Sequence, residues 1–187
     1  ILHHPCLVDL AEQFLGTDEI VRHASFNLRP KAPNQRFTDT PWHQDAQYFP
    51  NYADANMINM WFPMHDVDAR SSCLAFAPGV HKQGMFEDDV SEINNGFIGL
   101  TPEQAKEMPC FPAELKRGDI VLFTSKTPHV AMPNYSDLMR WSWDMRFIDF
   151  KDADEDVMQL GKLVRHPEQS RYSNFDHFVE TWKDMEW

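Results

Sequence analysis

The stretch MRWSWDMRFID, residues 139–149, alternates apolar and polar side chains along most of its length. Alternation over such a run predicts a β-strand whose two faces meet different surroundings. Shorter runs at 20–28, 56–63, 73–77 and 118–124 are also typical of strands, and turns rather than helices join most of them. The sequence therefore predicts a mainly β, antiparallel fold, a jelly roll with flanking helices packed outside it.

Helices are expected at two places. Residues 6–15 carry apolar side chains at helical spacing and stop at Gly16, a residue typical of helix ends. A second, short helix is expected at 101–107. The strand at 20–28 is expected to end before Pro30, because proline cannot donate to a strand ladder.

The length and composition favour one globular domain. The chain has 187 residues, of which 42% are hydrophobic and 25% are charged. It has no repeat and no linker rich in Gly or Ser, so we expect a single domain over 1–187. Core strands are expected at about 20–150, followed by a mixed tail at 151–187 that is helical near its end. The chain does not begin with Met, and we expect an N-terminal portion to precede Ile1.

Charge and cysteine usage exclude several classes of partner. The formal net charge is −12, which argues against binding to nucleic acid or to anionic membrane surfaces. No run of about 18 apolar residues occurs, so no membrane span is expected. The three cysteines, Cys6, Cys73 and Cys110, lack CxxC spacing, which suits a reducing, cytoplasmic location. The sequence leaves the oligomeric state open.

The stretch PWHQDAQYF, residues 41–49, contains the pattern that points to chemistry. On a strand, His43 and Asp45 would project from one face, with Gln44 turned away. An imidazole and a carboxylate aimed at one point are either a hydrogen-bonded pair or two of the three ligands in a 2-His-1-carboxylate iron site.

A third ligand would have to come from elsewhere in the chain. His129 follows the strand and turn GDIVLFTSKTP, and His81, in PGVHKQG, is its rival. Arg140 lies on the strand after His129, where a partly buried guanidinium needs an anionic partner. A carboxylate matches the fork of its N–H donors, and the acid end of a 2-oxo acid would supply one.

Four segments of the chain resemble the phytanoyl-CoA dioxygenase family of Fe(II)- and 2-oxoglutarate-dependent oxygenases. They are PWHQDAQYFP, INMWFPMHDVDARSSCLAFAPGVHKQG, GDIVLFTSKTPHVAMPN and RWSWDMRF, and the resemblance covers about residues 5–150. It implies a double-stranded β-helix, a cupin-like jelly roll. It also implies a non-haem iron dioxygenase that uses 2-oxoglutarate and O2, hydroxylates a small molecule and releases succinate and CO2.

The resemblance also implies roles for individual residues. His43, Asp45 and His129 match the iron ligands, and Arg140 matches the residue that binds the distal carboxylate of 2-oxoglutarate. Trp61 and Ser25 match positions that line the cosubstrate pocket. From strand alternation we add Ser142, which shares the strand face of Arg140.

The sequence departs from the family pattern at two places, and the presence of Asp45 bears on the type of reaction. The position two residues after the third ligand, often a hydroxyl residue that contacts the cosubstrate, is Ala131. The family's N-terminal region, which sometimes carries a cosubstrate lysine, is not evident. Related halogenases have a small residue in place of Asp45, so its presence favours hydroxylation over halogenation.

The substrate is the least determined part of the prediction. Gln47, Tyr48 and Asn56 follow the HxD motif and are candidate substrate contacts, with surface polar residues as the plain alternative. A small polar metabolite or natural-product intermediate fits the acidic chain better than a polyanionic ester. Two further functions stay open, an iron oxygenase that does not use 2-oxoglutarate and a non-catalytic jelly-roll binding module.

Overall fold

The computed structural model describes residues 1–35, 38–90 and 96–165, and within them the chain forms four α-helices and eleven β-strands. The helices are α1 (Pro5–Leu15), α2 (Asp45–Tyr48), α3 (Pro102–Glu107) and α4 (Glu155–Leu160). The strands are β1 (Ile20–Arg22), β2 (Asn27–Lys31), β3 (Met57–Pro63), β4 (Leu74–Phe76), β5 (Asp88–Asp89), β6 (Gly99–Leu100), β7 (Phe111–Pro112), β8 (Val121–Thr124), β9 (His129–Ala131), β10 (Arg140–Asp149) and β11 (Lys162–Arg165).

The described residues divide into two compact units. The first unit contains Ile1–Ser25, Asn56–Ile58 and the described residues from Met145 onward. The second contains the described parts of Phe26–Ala55 and Asn59–Asp144. The expectation of a single domain stays a prediction.

Helix α1 of the first unit follows from its own sequence. His4 caps the helix, because its Nδ1 accepts a hydrogen bond from the backbone N–H of Cys6, and Pro5 occupies the first turn, where no N–H is needed. The helix ends at Gly16, whose φ of 68° is the left-handed conformation that favours glycine. Leu7, Val8, Ala11 and Leu15 are buried at helical spacing, so the predicted helix at 6–15 is confirmed.

A short antiparallel sheet accompanies α1 in the first unit. Strand β1 pairs on one side with the end of β10, at 147–149, and on the other side with β11. Ile20, Val21, Phe147 and Ile148 are almost completely buried in this sheet. Burial of consecutive residues on both faces explains why the alternation of β10 breaks down at its end.

The second unit is built from two sheets that pack against each other. Strand β2 pairs antiparallel with the first half of β10, and β3 and β8 follow β10 in the same sheet. In the other sheet β4 lies between β7 and β9. Both sheets supply side chains to one apolar core, which contains Trp61, Val67, Cys73, Leu74, Phe76, Phe123 and Ala131. Two antiparallel sheets around a shared core form a β-sandwich, so the mainly β expectation is confirmed.

The strand expected at 20–28 is wrong in its bounds. The structure contains two strands, β1 and β2, separated by a turn in which the Ser25 backbone N–H donates to His23 Nδ1 at 2.9 Å. Pro30 does not end the second strand but lies inside β2. Among the described strands β2 pairs with β10 alone, and a proline is tolerated on such an edge because its missing N–H would face no partner.

Outside these two strands and the segment that carries His43 and Asp45, the expected elements agree with the structure, with ends shifted by a few residues. The short helix expected at 101–107 is α3, capped by Thr101, whose side chain accepts from the backbone N–H of Gln104. The part of the tail beyond residue 165, including its expected helical end, lies outside the described residues. No helix in the described part is long and apolar enough to cross a membrane.

The burial of the cysteines predicts their reactivity. Cys73 is completely buried, and burial raises the pKa of its thiol to about 11, whereas Cys6 and Cys110 are exposed. At about pH 8 we expect dithionitrobenzoate to react rapidly with two thiols, and with the third after unfolding in urea, because the thiolate is the nucleophile. Absorbance of the released thionitrobenzoate measures this. Cys73→Ala should remove the slow thiol alone, and rapid reaction of all three thiols would contradict the burial.

Candidate metal centre

Three side chains of ligand type meet in the interior of the second unit. Asp45 Oδ1 lies 3.5 Å from His43 Nε2 and 3.9 Å from His129 Nε2. One ligand atom from each residue lies within 4.8 Å of the others, and all three residues are buried. In the described part of the chain this is the one group of three or more His, Cys, Asp or Glu side chains arranged to hold a metal ion.

Backbone pairing brings the two histidines together. The N–H of His43 donates to the carbonyl of His129, and the N–H of His129 donates to the carbonyl of His43, both at 3.0 Å. His129 also opens β9 and pairs with Phe76 on β4. Strand β9 therefore has β4 on one side and the His43 segment on the other, and both imidazoles are held by the main chain.

The local geometry around Asp45 differs from the expected strand. Gln44 is the N-cap of α2, and Asp45 is the first residue of that helix. The Gln44 side chain is completely buried, where its Nε2 donates to the carbonyls of Gly84 and Lys126 at 2.8 and 2.7 Å. These anchors stop the strand after His43, so the two ligand-type side chains converge at a helix start and not through strand alternation.

Hydrogen bonds to the backbone orient both imidazole rings. His43 Nδ1 lies 2.8 Å from the carbonyl oxygen of Pro41, and His129 Nδ1 lies 3.0 Å from that of Thr127. A carbonyl can only accept, so each Nδ1 carries a proton, and in a neutral imidazole with that tautomer Nε2 is the nitrogen able to bind a metal. Both Nε2 atoms face Asp45, which is the arrangement that a metal-binding histidine needs. The donor set fits a divalent transition metal such as Fe(II).

Aromatic rings surround the two histidines. The Phe123 ring lies 4.7 Å from that of His129, and the Phe76 ring stacks on His129 at 5.8 Å. The Tyr48 ring meets His43 edge-on at 5.6 Å. These rings limit the access of water to the centre and hold the imidazoles in place.

The rival third ligand lies outside this group. His81 is in a short 3₁₀ segment, Val80–Gln83, and is only partly buried. Its neighbour Gly84 contacts the Gln44 side chain, so this segment supports the helix start that carries Asp45.

A buried arginine is the second unusual feature of this unit. The Arg140 residue is 2% exposed, and its Nη atoms donate to the hydroxyls of Ser142 and Ser72. The guanidinium lies over the Trp61 ring at 5.6 Å. Burial lowers the pKa of Arg140 to about 10, so it keeps its charge at neutral pH.

Arg140 forms no direct ion pair with an acidic side chain of the described residues, although Asp144 and Asp39 attract its charge from a distance. No carboxylate in the described residues lies within salt-bridge distance of its guanidinium, and its buried Nε has no hydrogen-bond partner there. An uncompensated buried cation costs several kcal/mol. The arrangement suits an anionic ligand that would accept from the guanidinium.

Trp61 and Ser142 both contact Arg140, and their predicted roles in binding the cosubstrate stay predictions. Trp61 provides the ring under the guanidinium, and Ser142 accepts from Nη1. The alternation of buried and exposed residues along the first half of β10 places Arg140 and Ser142 on the same face.

The other predicted contact residues are engaged by protein groups. Gln47 Oε1 accepts from the Gln44 backbone at 2.8 Å, and the Tyr48 hydroxyl donates to the Ile98 carbonyl at 2.8 Å. Ser25 and Asn56 lie in the first unit, where Asn56 Nδ2 donates to the Leu15 carbonyl at 2.7 Å. Their roles in binding stay predictions.

Ala131, which lacks the hydroxyl often found at this position in the family, packs in the apolar core of the second unit. The carbonyl oxygen of Ala131 lies 3.3 Å from Lys31 Nζ. Lys31 is buried, contacts the Met132 carbonyl at 2.9 Å and pairs with Asp39 at 2.7 Å. The lysine ties β2 to the segment after the third histidine.

Sequence reasoning missed two residues of this region. Ser72 contacts Arg140, and its partners lie so far along the chain that no local pattern reveals it. Asn59 shares a face of β3 with Trp61, is 2% exposed, and neither atom of its side-chain amide has a partner in the described residues. A polar residue inside the apolar run NMINMWFP was the available signal for Asn59.

Comparison with known proteins identifies relatives of the chain. The family model described as phytanoyl-CoA dioxygenase (PhyH) matches residues 1–142. The phytanoyl-CoA dioxygenase domain-containing protein 1 homolog of Dictyostelium discoideum is 30% identical over 57% of this chain and 40% of that protein. The 1-deoxypentalenic acid 11-beta-hydroxylase of Streptomyces arenae is 28% identical over 77% of this chain and 54% of the hydroxylase. The chain thus spans about half the length of these relatives, or less.

Solved structures share the fold. The apo form of the non-heme monooxygenase ThoJ superposes with a TM-score of 0.70 at 20% identity, over 98% of this chain and 71% of that one. EvdO2 from Micromonospora carbonacea var. aurantiaca, complexed with 2-oxoglutarate, gives 0.61 at 21% identity, over 86% and 62% of the two chains. At these identities the likeness shows the fold, and the predicted cupin-like jelly roll is confirmed.

The geometry predicts which histidine contributes to metal affinity. Asp45→Ala and His129→Ala should each raise the Kd for Ni(II) or Co(II) by roughly 100-fold or more, because each removes a converging ligand atom. His81→Ala is the matched control and should bind the metal as the wild type does. Isothermal titration calorimetry on metal-free protein measures all three. Loss of binding in His81→Ala with retention in His129→Ala would reverse the assignment.

Proposed function

The chain belongs to the phytanoyl-CoA dioxygenase family, and we propose that it is an Fe(II)- and 2-oxoglutarate-dependent oxygenase that hydroxylates a small molecule. The observation that carries the proposal is the presence, within one unit, of a His-Asp-His cluster and a buried arginine that has no direct ion pair among the described residues. A metal centre alone would fit many reactions. The combination with a separate anion site fits a cosubstrate that carries a carboxylate away from the metal.

In this proposal His43, Asp45 and His129 hold the iron. The two Nε2 lone pairs and the Asp45 carboxylate are a 2-His-1-carboxylate donor set, which leaves positions open for other ligands. Iron with 2-oxoglutarate and O2 supplies the oxidising chemistry, in which decarboxylation gives succinate and CO2. Pro41 and Thr127 support the centre through their carbonyl oxygens, which keep the imidazoles in the ligating tautomer.

Arg140 would bind the distal carboxylate of 2-oxoglutarate. The Nε of the guanidinium has no hydrogen-bond partner in the part of the chain that the structure describes, and Ser142 and Ser72 accept from its other two nitrogens. Burial strengthens the attraction because little water competes for the carboxylate. Trp61, which lies under the guanidinium, and Ser25 are the other proposed cosubstrate contacts.

The substrate would bind beside the metal. Tyr48 is the proposed contact nearest the centre, because its ring touches His43. Gln47 and Asn56 are further candidates from the sequence. The structure adds Asn59, whose side-chain amide has no hydrogen-bond partner among the residues described. The hydroxylase named among the relatives supports oxygen insertion into a small molecule, as does the presence of a carboxylate at Asp45.

The proposal is tested by anaerobic titration with Fe(II) and then 2-oxoglutarate, monitoring the weak visible charge-transfer band of the chelate. Wild type should develop the band, and His129→Ala should not. Arg140→Ala should raise the Kd for 2-oxoglutarate on the order of 100-fold, because a buried charge pair is lost. Arg70→Ala, which removes an exposed arginine, is the matched control and should bind normally.

Each alternative function predicts a different result in this titration. Iron binding without the band would favour an iron oxygenase that does not use 2-oxoglutarate. Absence of iron binding would favour a non-catalytic binding module in which His43 and Asp45 are a hydrogen-bonded pair. A normal band in His129→Ala would contradict the proposed ligand set.

A further inference from the structure

Ser72 has a backbone conformation that serine seldom adopts. Its φ is +65°, in the left-handed region, and the residue is completely buried between β3 and β4. In the described part of the chain, the one other residue besides glycine with positive φ is Asn34, and asparagine tolerates this region better than serine. A glycine at position 72 would adopt the same conformation without strain.

The surrounding turn holds Ser72 in this conformation. The Asp68 side chain accepts from the backbone N–H groups of Arg70 and Ser71, and its carbonyl accepts from the N–H of Cys73 at 3.1 Å. The bonds from the Ser71 hydroxyl and backbone lower the pKa of Asp68. Strained residues persist where neighbouring bonds over-determine them, and such residues cluster at functional sites.

The hydroxyl of Ser72 makes two contacts, and one of them is dispensable. It donates to the Met132 carbonyl, but that carbonyl also accepts from Lys31 Nζ at 2.9 Å. It accepts from Arg140 Nη2 at 3.3 Å, and no other acceptor for this nitrogen is present among the described residues. The contact with Arg140 is therefore the one that requires a side chain at this position.

We propose that Ser72 is a positioning residue that orients the Arg140 guanidinium for the distal carboxylate of 2-oxoglutarate. The inference rests on the proposed function. Ser142 and Ser72 bind the two Nη atoms from separate strands and turns, so the plane of the fork is set before an anion arrives. Pre-organisation of this kind raises affinity by reducing the cost of ordering the site on binding. The strain at Ser72 persists because glycine would lack the hydroxyl.

Two variants of Ser72 separate the hydroxyl from the strain. Ser72→Gly removes both, whereas Ser72→Ala removes the hydroxyl and keeps a Cβ in the left-handed region. The glycine variant should therefore unfold at a higher temperature than the alanine variant, by a few degrees. Asn34→Gly is the matched control, since it places glycine at a positive φ on an exposed turn.

The decisive measurement compares 2-oxoglutarate with pyruvate in the Fe(II)-loaded protein under anaerobic conditions. Pyruvate has the same 2-oxo acid end but lacks the distal carboxylate. Both Ser72 variants should bind 2-oxoglutarate about tenfold more weakly, the effect of one hydrogen bond to a charged group. Their Kd for pyruvate, and that of Asn34→Gly for both acids, should match the wild type.

The outcomes distinguish this inference from the proposed function. If wild type prefers 2-oxoglutarate and the Ser72 variants keep that preference, Ser72 is a structural residue and the inference is wrong. Equal weakening of both acids would indicate a general disturbance of the site and would also overturn it. If wild type shows no preference for 2-oxoglutarate over pyruvate, Arg140 binds no distal carboxylate, and the proposed function fails together with the inference.

Discussion

The candidate centre depends on two hydrogen bonds between the backbones of His43 and His129. These residues lie far apart in the chain, and the bonds, both at 3.0 Å, hold their imidazoles side by side. Because main-chain atoms make this link, the placement of the two histidines beside each other does not depend on the packing of any one side chain. The buried Gln44 amide then turns the chain into α2 and brings Asp45 to the same point. A metal ion would find its ligands largely pre-organised.

Burial of Arg140 places a positive charge in the interior of the second unit. Removing a guanidinium from water costs several kcal/mol, and two serine hydroxyls and the face of Trp61 offset only part of that cost. A strained backbone at Ser72 adds to it. The buried guanidinium and the strained Ser72 both lower the stability of the folded protein, which is common where a ligand supplies the missing partner on binding.

The helices and strands that could be predicted from the sequence are those determined by interactions within one short stretch of the chain. Helix α1 was predictable because its buried positions recur at helical spacing and Gly16 ends it. Strand β10 was predictable from alternation. The break between β1 and β2 was not, because a hydrogen bond from Ser25 to His23 creates the turn without any glycine or proline there. The helix start at Asp45 was also missed, because the groups that anchor Gln44 come from Gly84 and Lys126.

The sequence by itself determined the family, the mainly β class and the residue types able to hold a metal and an anion, since these are properties of motifs and composition. Only the tertiary structure decided that His129 rather than His81 lies beside Asp45, and that Arg140 has no acidic partner among the described residues. It also decided that Ser72 contacts the guanidinium. Such facts depend on distances between residues far apart in the chain, and those distances arise from strand register and core packing, which no short stretch of sequence encodes.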